Sequence, residues 1–225
     1  MTAPSPHPAT GVTTPTPGTQ ARAVAPATVR ARVDVTLRRA DGRRAELVTF
    51  SGLKDAGEHI AVIVPQTAPG VPLVRVHSEC LTGDVLGSAR CDCGPQLDEA
   101  LKRIATEGGV VLYLRQEGRG IGLYNKLDTY LLQDRGVDTF EANRLIGREA
   151  DERDYGVAAA MLHAIGMDRI RLLTNNPDKV EQLSEHNIDV VSAVPTGIHL
   201  TPENTRYLKD KAFHGGHSLS WGGES

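Results

Sequence analysis

Cys80, Cys91 and Cys93 are the only cysteines of this 225-residue chain. Thiolates are preferred zinc ligands in a tetrahedral shell. Structural zinc sites usually close that shell with four protein ligands, whereas catalytic sites keep three and leave the fourth position to water. Three clustered cysteines with no fourth therefore point to an open, catalytic site, where a metal ion can activate water near neutral pH. Cys91-Asp92-Cys93-Gly94 can supply two ligands from one tight loop, with Gly94 freeing the backbone. Two plainer readings compete. Cysteines are often simply buried thiols, and His77 could complete a closed structural site.

A second group of residues suits phosphate. Arg115-Gln116-Glu117-Gly118-Arg119-Gly120-Ile121-Gly122 follows a strand-like run and precedes a helix pattern. A helix N-terminus presents free N–H groups to anions, and a guanidinium can grip phosphate at two points. The glycine spacing is G-x-G-x-G and departs from the dinucleotide fingerprint G-x-G-x-x-G, so a flexible surface turn is the alternative. Asp151-Glu152-Arg153-Asp154 is a dense charge run before a helix, a pattern that by itself fits a solvated face or cap. Thr174-Asn175-Asn176-Pro177 ends a strand and opens a helix carrying Lys179, where open α/β sheets bind ligands. Helix capping by Thr or Asn is the plainer account.

The elements that must position these groups change character along the chain. Residues 1–28 are rich in Pro, Thr and Ala, lack a hydrophobic period and read as a disordered tail. The domain begins near Val29. Val33, Val35 and Leu37 alternate with polar residues, and Ala40-Asp41-Gly42 supplies a turn, so Arg32–Phe50 is expected to form a hairpin. Strand-like runs follow at Ile60–Val64 and Leu73–Val76. Pro95 then opens a helix with Leu97, Leu101 and Ile104 on one face, closed by Gly108-Gly109. Val110–Leu114 reads as a strand. Leu123, Leu127, Tyr130 and Leu131 mark a helix stopped at Gly136. A helix from about Tyr155 to Ile165 feeds a strand at Ile170–Leu173, and a helix at Lys179–His186 feeds another at Asp189–Val191. The expected fold is α/β with α+β character: a β-rich N-terminal part, then alternating strands and helices around a mixed sheet. Residues 29–210 form the domain, and 211–225 read as a flexible tail.

A formal net charge of -3 excludes the basic surplus usual in nucleic-acid binders. No apolar run approaches the ~18 residues of a membrane helix, and no signal-peptide pattern opens the chain, so a cytoplasmic protein is expected, with neither nucleic acid nor membrane as partner.

Five strings together resemble GTP cyclohydrolase II of riboflavin biosynthesis, in its monofunctional form. They are Arg75-Val76-His77-Ser78-Glu79-Cys80-Leu81-Thr82-Gly83-Asp84, Arg90-Cys91-Asp92-Cys93-Gly94, Arg115-Gln116-Glu117-Gly118-Arg119, Asp151-Glu152-Arg153-Asp154-Tyr155, and Arg171-Leu172-Leu173-Thr174-Asn175-Asn176-Pro177. The similarity runs from about residue 30 to 210. The resemblance implies zinc-dependent opening of the guanine imidazole ring of GTP at C8, with release of formate and pyrophosphate. It implies one zinc per subunit on Cys80, Cys91 and Cys93, magnesium at the triphosphate, and a homodimer. It places GTP contacts on Arg75, Val76, His77, Ser78, Glu79, Gln96, Glu117, Gly118, Arg119, Thr139, Thr174 and Lys179. It gives catalytic roles to Asp151 as proton acceptor, to Arg153 at the α-phosphate and to Tyr130 in completing ring opening. For Arg153, electrostatic stabilisation competes with a nucleophilic role, because arginine stays protonated in proteins. For Tyr130, core packing beside Leu123 and Leu127 is the alternative.

Two other functions remain in view. His77-Ser78-Glu79 matches the H-x-E unit of zinc nucleobase deaminases, although the later Cys-x-Cys lacks their P-C-x-x-C form. A non-catalytic nucleotide-binding regulator with a structural zinc is the third.

Overall fold

The computed structural model describes residues 26–149, 151–201 and 203–204, and leaves the side chains of Thr139 and Phe140 aside. The sequence-predicted tails fall almost wholly outside these residues, and the first described element is a strand beginning at Thr28.

Seven strands form one mixed sheet in the order β1-β2-β3-β5-β4-β6-β7. The expected hairpin is β1 (Thr28–Leu37) and β2 (Arg43–Ser51), paired antiparallel from Leu37↔Arg43 outward. Its connection, residues 38–42, is longer than a simple two-residue turn. A 3-10 turn at Arg38–Ala40 buries Ala40, and Asp41 and Gly42 then take left-handed φ values of 51° and 73°, conformations that Asp and Gly tolerate best. β3 (Ile60–Val64) continues the antiparallel half and pairs with β5 (Gly109–Leu114). From β5 onward, β4 (Leu73–Ser78), β6 (Arg169–Leu173) and β7 (Asp189–Val194) run parallel. The mixed sheet expected from sequence is therefore present, antiparallel in its first half and parallel in its second.

Helices cover both faces, as a parallel sheet requires. α1 (Leu81–Asp84) and α2 (Cys93–Glu107) connect β4 to β5. Leu97, Ala100, Leu101 and Ile104 of α2 pack with Leu73, Val111 and Leu173 into one core cluster. On the opposite face, Val157, Ala158, Met161 and Leu162 of α5 (Gly156–Ala164) and Leu183 of α6 (Pro177–Glu185) pack with Val74, Val76, Leu112 and Leu172. β4 lies between β5 and β6; the β4–β5 connection through α2 covers one face of the sheet and the β5–β6 connection through α5 covers the other. The carboxyl end of such a strand opens onto a crevice, and the sequence continues there directly into Cys80.

Two short helices escaped the sequence reading, α1 and α4 (Thr139–Leu145). The helix α3 (Leu123–Gln133) lies where expected, but the leucines that mark it are not the residues it buries. Leu127 and Leu131 are exposed, and Thr129 is its one fully buried residue. Lys126, Thr129, Tyr130 and Gln133, spaced i, i+3, i+4 and i+7, turn toward the body of the protein and line a cleft.

Candidate active site

The cleft opens at the carboxyl ends of β4 and β5 and spans about 690 Å³, open solvent at its mouth included. Its walls carry Ser78, Glu79, Cys80, Cys91, Cys93, Glu117, Gly118, Arg119, Tyr130 and Arg153, so ten of the sequence-predicted site residues converge on one surface.

The cysteines meet because the short helix α1 packs backbone to backbone against the start of α2. A Cβ on Gly94 would lie 2.4 Å from the Gly83 carbonyl oxygen, and one on Gly83 would lie 2.8 Å from the Cys91 sulfur. Both glycines are thus required by the close approach of α1 to α2. The three sulfurs all lie within 4.8 Å of one another, with Cys80 Sγ and Cys91 Sγ 3.5 Å apart. A disulfide needs about 2.05 Å. Tetrahedral zinc with Zn–S bonds of about 2.3 Å sets its sulfurs about 3.8 Å apart. The trio therefore has the spacing of a metal site. The free thiols divide their protons unevenly. Hydrogen bonds from Cys91 and Cys93 pull the Cys80 thiol far down, while Cys91, donating to Cys80, rises to about 11 and Cys93 rises as well. A metal ion bound here displaces the protons that remain.

His77 is not part of that cluster. It is buried, stacks on Tyr113 at 5.6 Å, and points Nε2 at both oxygens of the Asp84 carboxylate at 3.1 Å. Asp84 also accepts the Cys80 backbone N–H at 3.0 Å and the Tyr113 hydroxyl at 2.9 Å. Burial lowers the His77 pKa against the pull of Asp84, so the ring is neutral, with its proton on Nε2. The closed site completed by His77 is not the arrangement seen. What His77 and Asp84 do is fix the backbone from which Cys80 projects.

The glycine–arginine loop folds into a 3-10 turn, Glu117–Gly120, rather than directly into a helix. Gly118, Arg119, Gly120 and Gly122 all have positive φ, between 61° and 93°. The left-handed run is strained at Arg119, the one non-glycine in it. It docks on the charge run: Glu152 N–H donates to the Arg119 carbonyl at 2.9 Å, and a Cβ on Gly120 would meet the Glu152 backbone at 2.9 Å. This brings Arg119 beside Asp151 and Arg153. Arg153 donates from Nε to Asp151 Oδ1 at 2.8 Å and from its terminal nitrogen to Oδ2, with its guanidinium 5.7 Å from the Tyr155 ring. Burial opposes ionisation of Asp151, but the fork of Arg153 outweighs it and holds the carboxyl below its ordinary range.

Tyr130 does not pack into a hydrophobic core. Its hydroxyl lies 3.4 Å from Thr82 Oγ1, its ring lies under the Arg90 guanidinium at 4.8 Å, and it lines the cleft beside the cysteines. Burial raises its pKa, so the phenol stays protonated.

The other predicted contacts lie deeper. Arg75 donates to the Leu173 carbonyl at 3.1 Å and to Gln96 Oε1 at 2.8 Å. Lys179 donates to the Val76 carbonyl at 2.7 Å and sits 5.2 Å from the Tyr155 ring. Thr174 accepts from Asn176 N–H at 3.0 Å, while Asn176 caps α6 by accepting from Asp178 N–H at 3.1 Å. Arg75, Val76, His77, Gln96, Thr174 and Lys179 thus form a buried layer around β4 and are not among the cleft-lining residues. Arg75 Nε and His77 Nδ1 keep hydrogen-bonding capacity that the protein itself leaves unused. The predicted contact at Thr139 lies outside the described side chains.

Lys126 is a cleft residue that sequence reasoning missed. The available signal was its place four residues before Tyr130, on the same face of α3.

Comparison with known proteins agrees with this geometry. The family model for GTP cyclohydrolase II matches residues 30–195. The chain is 52% identical over 195 residues to a GTP cyclohydrolase-2 of Vibrio parahaemolyticus, spanning 86% of this chain and 98% of that protein. It is 53% identical over 195 residues to the GTP cyclohydrolase-2 of Vibrio vulnificus, with the same coverage. It is also 53% identical over 175 residues to the riboflavin biosynthesis protein RibBA of Bacillus mycoides, spanning 77% of this chain and 44% of that longer protein.

Proposed function

The chain belongs to the GTP cyclohydrolase II family, enzymes of riboflavin biosynthesis, and from that premise we propose that it holds one zinc ion per subunit at Cys80, Cys91 and Cys93 and hydrolyses GTP. The products are formate, pyrophosphate and 2,5-diamino-6-(5-phosphoribosylamino)pyrimidin-4(3H)-one. The observation that carries this reading is the convergence of three metal-spaced sulfurs with Arg119 and Arg153 on one cleft. A ring-opening centre and a polyphosphate grip are what the two hydrolyses need side by side.

Zinc, when bound, supplies Lewis acidity for attack of water at C8, the electrophilic carbon between two ring nitrogens. The chain's own residues do the remaining work. Arg119 and Arg153 offer cationic groups to the phosphates, and magnesium accompanies the triphosphate. Asp151 orients the Arg153 fork. A carboxylate already engaged at two points is a weak proton acceptor, which favours the electrostatic role of Arg153 over attack by its guanidinium. Arg75, His77, Gln96, Thr174 and Lys179 form the layer beneath the nucleotide, and Thr139 is retained as a contact. The enzyme works in the cytoplasm as a homodimer, a reading to which the exposed apolar side chains Tyr124, Leu127, Leu131 and Leu145 lend support. Among the described residues no helix is long and apolar enough to cross a membrane.

The test is incubation of purified, metal-replete protein with GTP and magnesium, following formate, pyrophosphate and the ring-opened pyrimidine. Failure to consume GTP overturns the reading. Ammonia in place of formate would instead favour a deaminase.

Tyr130 gives a sharper prediction. Its phenol can hand a proton to the opening ring, a contribution of roughly a hundredfold or more for a general acid. Tyr130→Phe is therefore expected to slow formate release about a hundredfold, while pyrophosphate release changes much less and the formylated pyrimidine accumulates. Normal formate release by the variant would reduce Tyr130 to a packing residue.

A further inference from the structure

Lys126 makes contacts that the reading above does not use. Its ammonium lies 3.1 Å from Cys80 Sγ, 3.0 Å from Thr82 Oγ1 and 2.8 Å from Glu117 Oε1. Those are three acceptors for three N–H donors. The side chain is 13% exposed, too enclosed for a solvated surface lysine, and burying an ammonium is costly unless it is paired. Glu117 supplies the pair and is itself committed on both sides. Its Oε2 accepts the Leu81 N–H at 2.6 Å, and its Oε1 accepts the Gly118 N–H at 2.9 Å. The pair thus bridges the backbone just after Cys80 to the glycine–arginine loop.

We propose that Lys126 is a positioning residue for the metal centre: by hydrogen-bonding the Cys80 sulfur it weakens and orients that ligand, so that a trio of thiolates still leaves the metal a useful Lewis acid. The proposal rests on the zinc reading of Cys80, Cys91 and Cys93. Three anionic sulfurs push electron density onto a metal and blunt its acidity. An N–H donor on one sulfur withdraws part of that density, as partners just outside the ligand shell commonly do. Arginine keeps the charge and the donors; methionine keeps the bulk and loses both.

The experiment uses full-length protein loaded with cobalt(II) in place of zinc, and reads the thiolate-to-cobalt charge-transfer band. Lys126→Met is expected to move the band to lower energy, because a sulfur without the hydrogen bond gives up electrons more readily. Lys126→Arg is expected to bring it back toward wild type. Because Lys126→Met leaves Glu117 buried and unpaired, the double variant Lys126→Met/Glu117→Gln serves as a second, charge-balanced protein and is expected to show the same shift. With zinc and GTP, kcat of Lys126→Met should fall about 10- to 100-fold, the usual range for such partners, with KM changed far less. An unmoved band in both methionine variants, or a loss confined to KM as for a direct phosphate ligand, overturns the proposal. Wild-type protein that takes up cobalt without any thiolate band overturns the zinc reading together with it, so the two failures are distinguishable.

Discussion

Replacing Cys91 by serine is expected to abolish formate release while leaving the fold intact. Cys91 is buried, its sulfur lies 3.5 Å from that of Cys80, and serine is smaller than cysteine, so no backbone need move. The hydroxyl is a far poorer zinc ligand than a thiolate. With two thiolates left, the centre should lose most of its metal, and with it the several kcal/mol by which a Lewis acid lowers the barrier to attack at C8. A loss of about 4 kcal/mol corresponds to roughly a thousandfold in rate. Formate release and metal content per chain, measured on the same preparation, check the prediction. A serine variant that retains full metal and turns over within threefold of wild type would remove Cys91 from the ligand set. The same replacement at Cys80 tests less cleanly, because that sulfur also accepts from Lys126.

Much of this arrangement was legible in the sequence. Alternation through Val33, Val35 and Leu37 gave the hairpin, and Leu97, Leu101 and Ile104 gave the buried face of α2. The cysteine trio and the glycine–arginine loop mark the two halves of the cleft in the sequence itself. What stayed hidden has physical reasons. α1 has four residues and α4 seven, too few turns to show a period. Leucine spacing marks α3 but not its inner face, because that spacing signals burial only where a helix packs on a core; this one turns a polar stripe to a cleft and leaves Leu127 and Leu131 outside. Arg75 and His77 alternate with Val74 and Val76, which on an outer strand would mean solvent. β4 is flanked by β5 and β6 and covered on both faces, so its polar side chains are buried instead. A polar residue's depth depends on which strand is central, and local pattern does not encode that.

Arg153→Ala is expected to cause the second large effect, about a thousandfold loss of pyrophosphate release. One preorganised donor aimed at developing charge is worth roughly a hundred- to a thousandfold, and an arginine at a transferring phosphoryl group somewhat more. The proposed role fits the way Arg153 is held. Its side chain is 16% exposed, fixed by the Asp151 carboxylate at two points and set against the Tyr155 ring. Little entropy remains to be lost when phosphate arrives. Arg153→Lys separates the two roles open to this residue. If the guanidinium stabilises charge, lysine keeps the charge, loses the planar fork and should retain a measurable fraction of the rate. If the guanidinium is the nucleophile, an acid-quenched reaction of the wild-type enzyme should carry guanylyl mass on the peptide containing Arg153. The geometry favours the first outcome, since Asp151 is held ionised by the same guanidinium it would have to deprotonate. The expected results are therefore no trapped adduct, partial activity in the lysine variant, and an alanine variant that is folded, metal-loaded and nearly inert. An alanine variant within tenfold of wild type would take Arg153 out of phosphate chemistry and leave Arg119 to carry it.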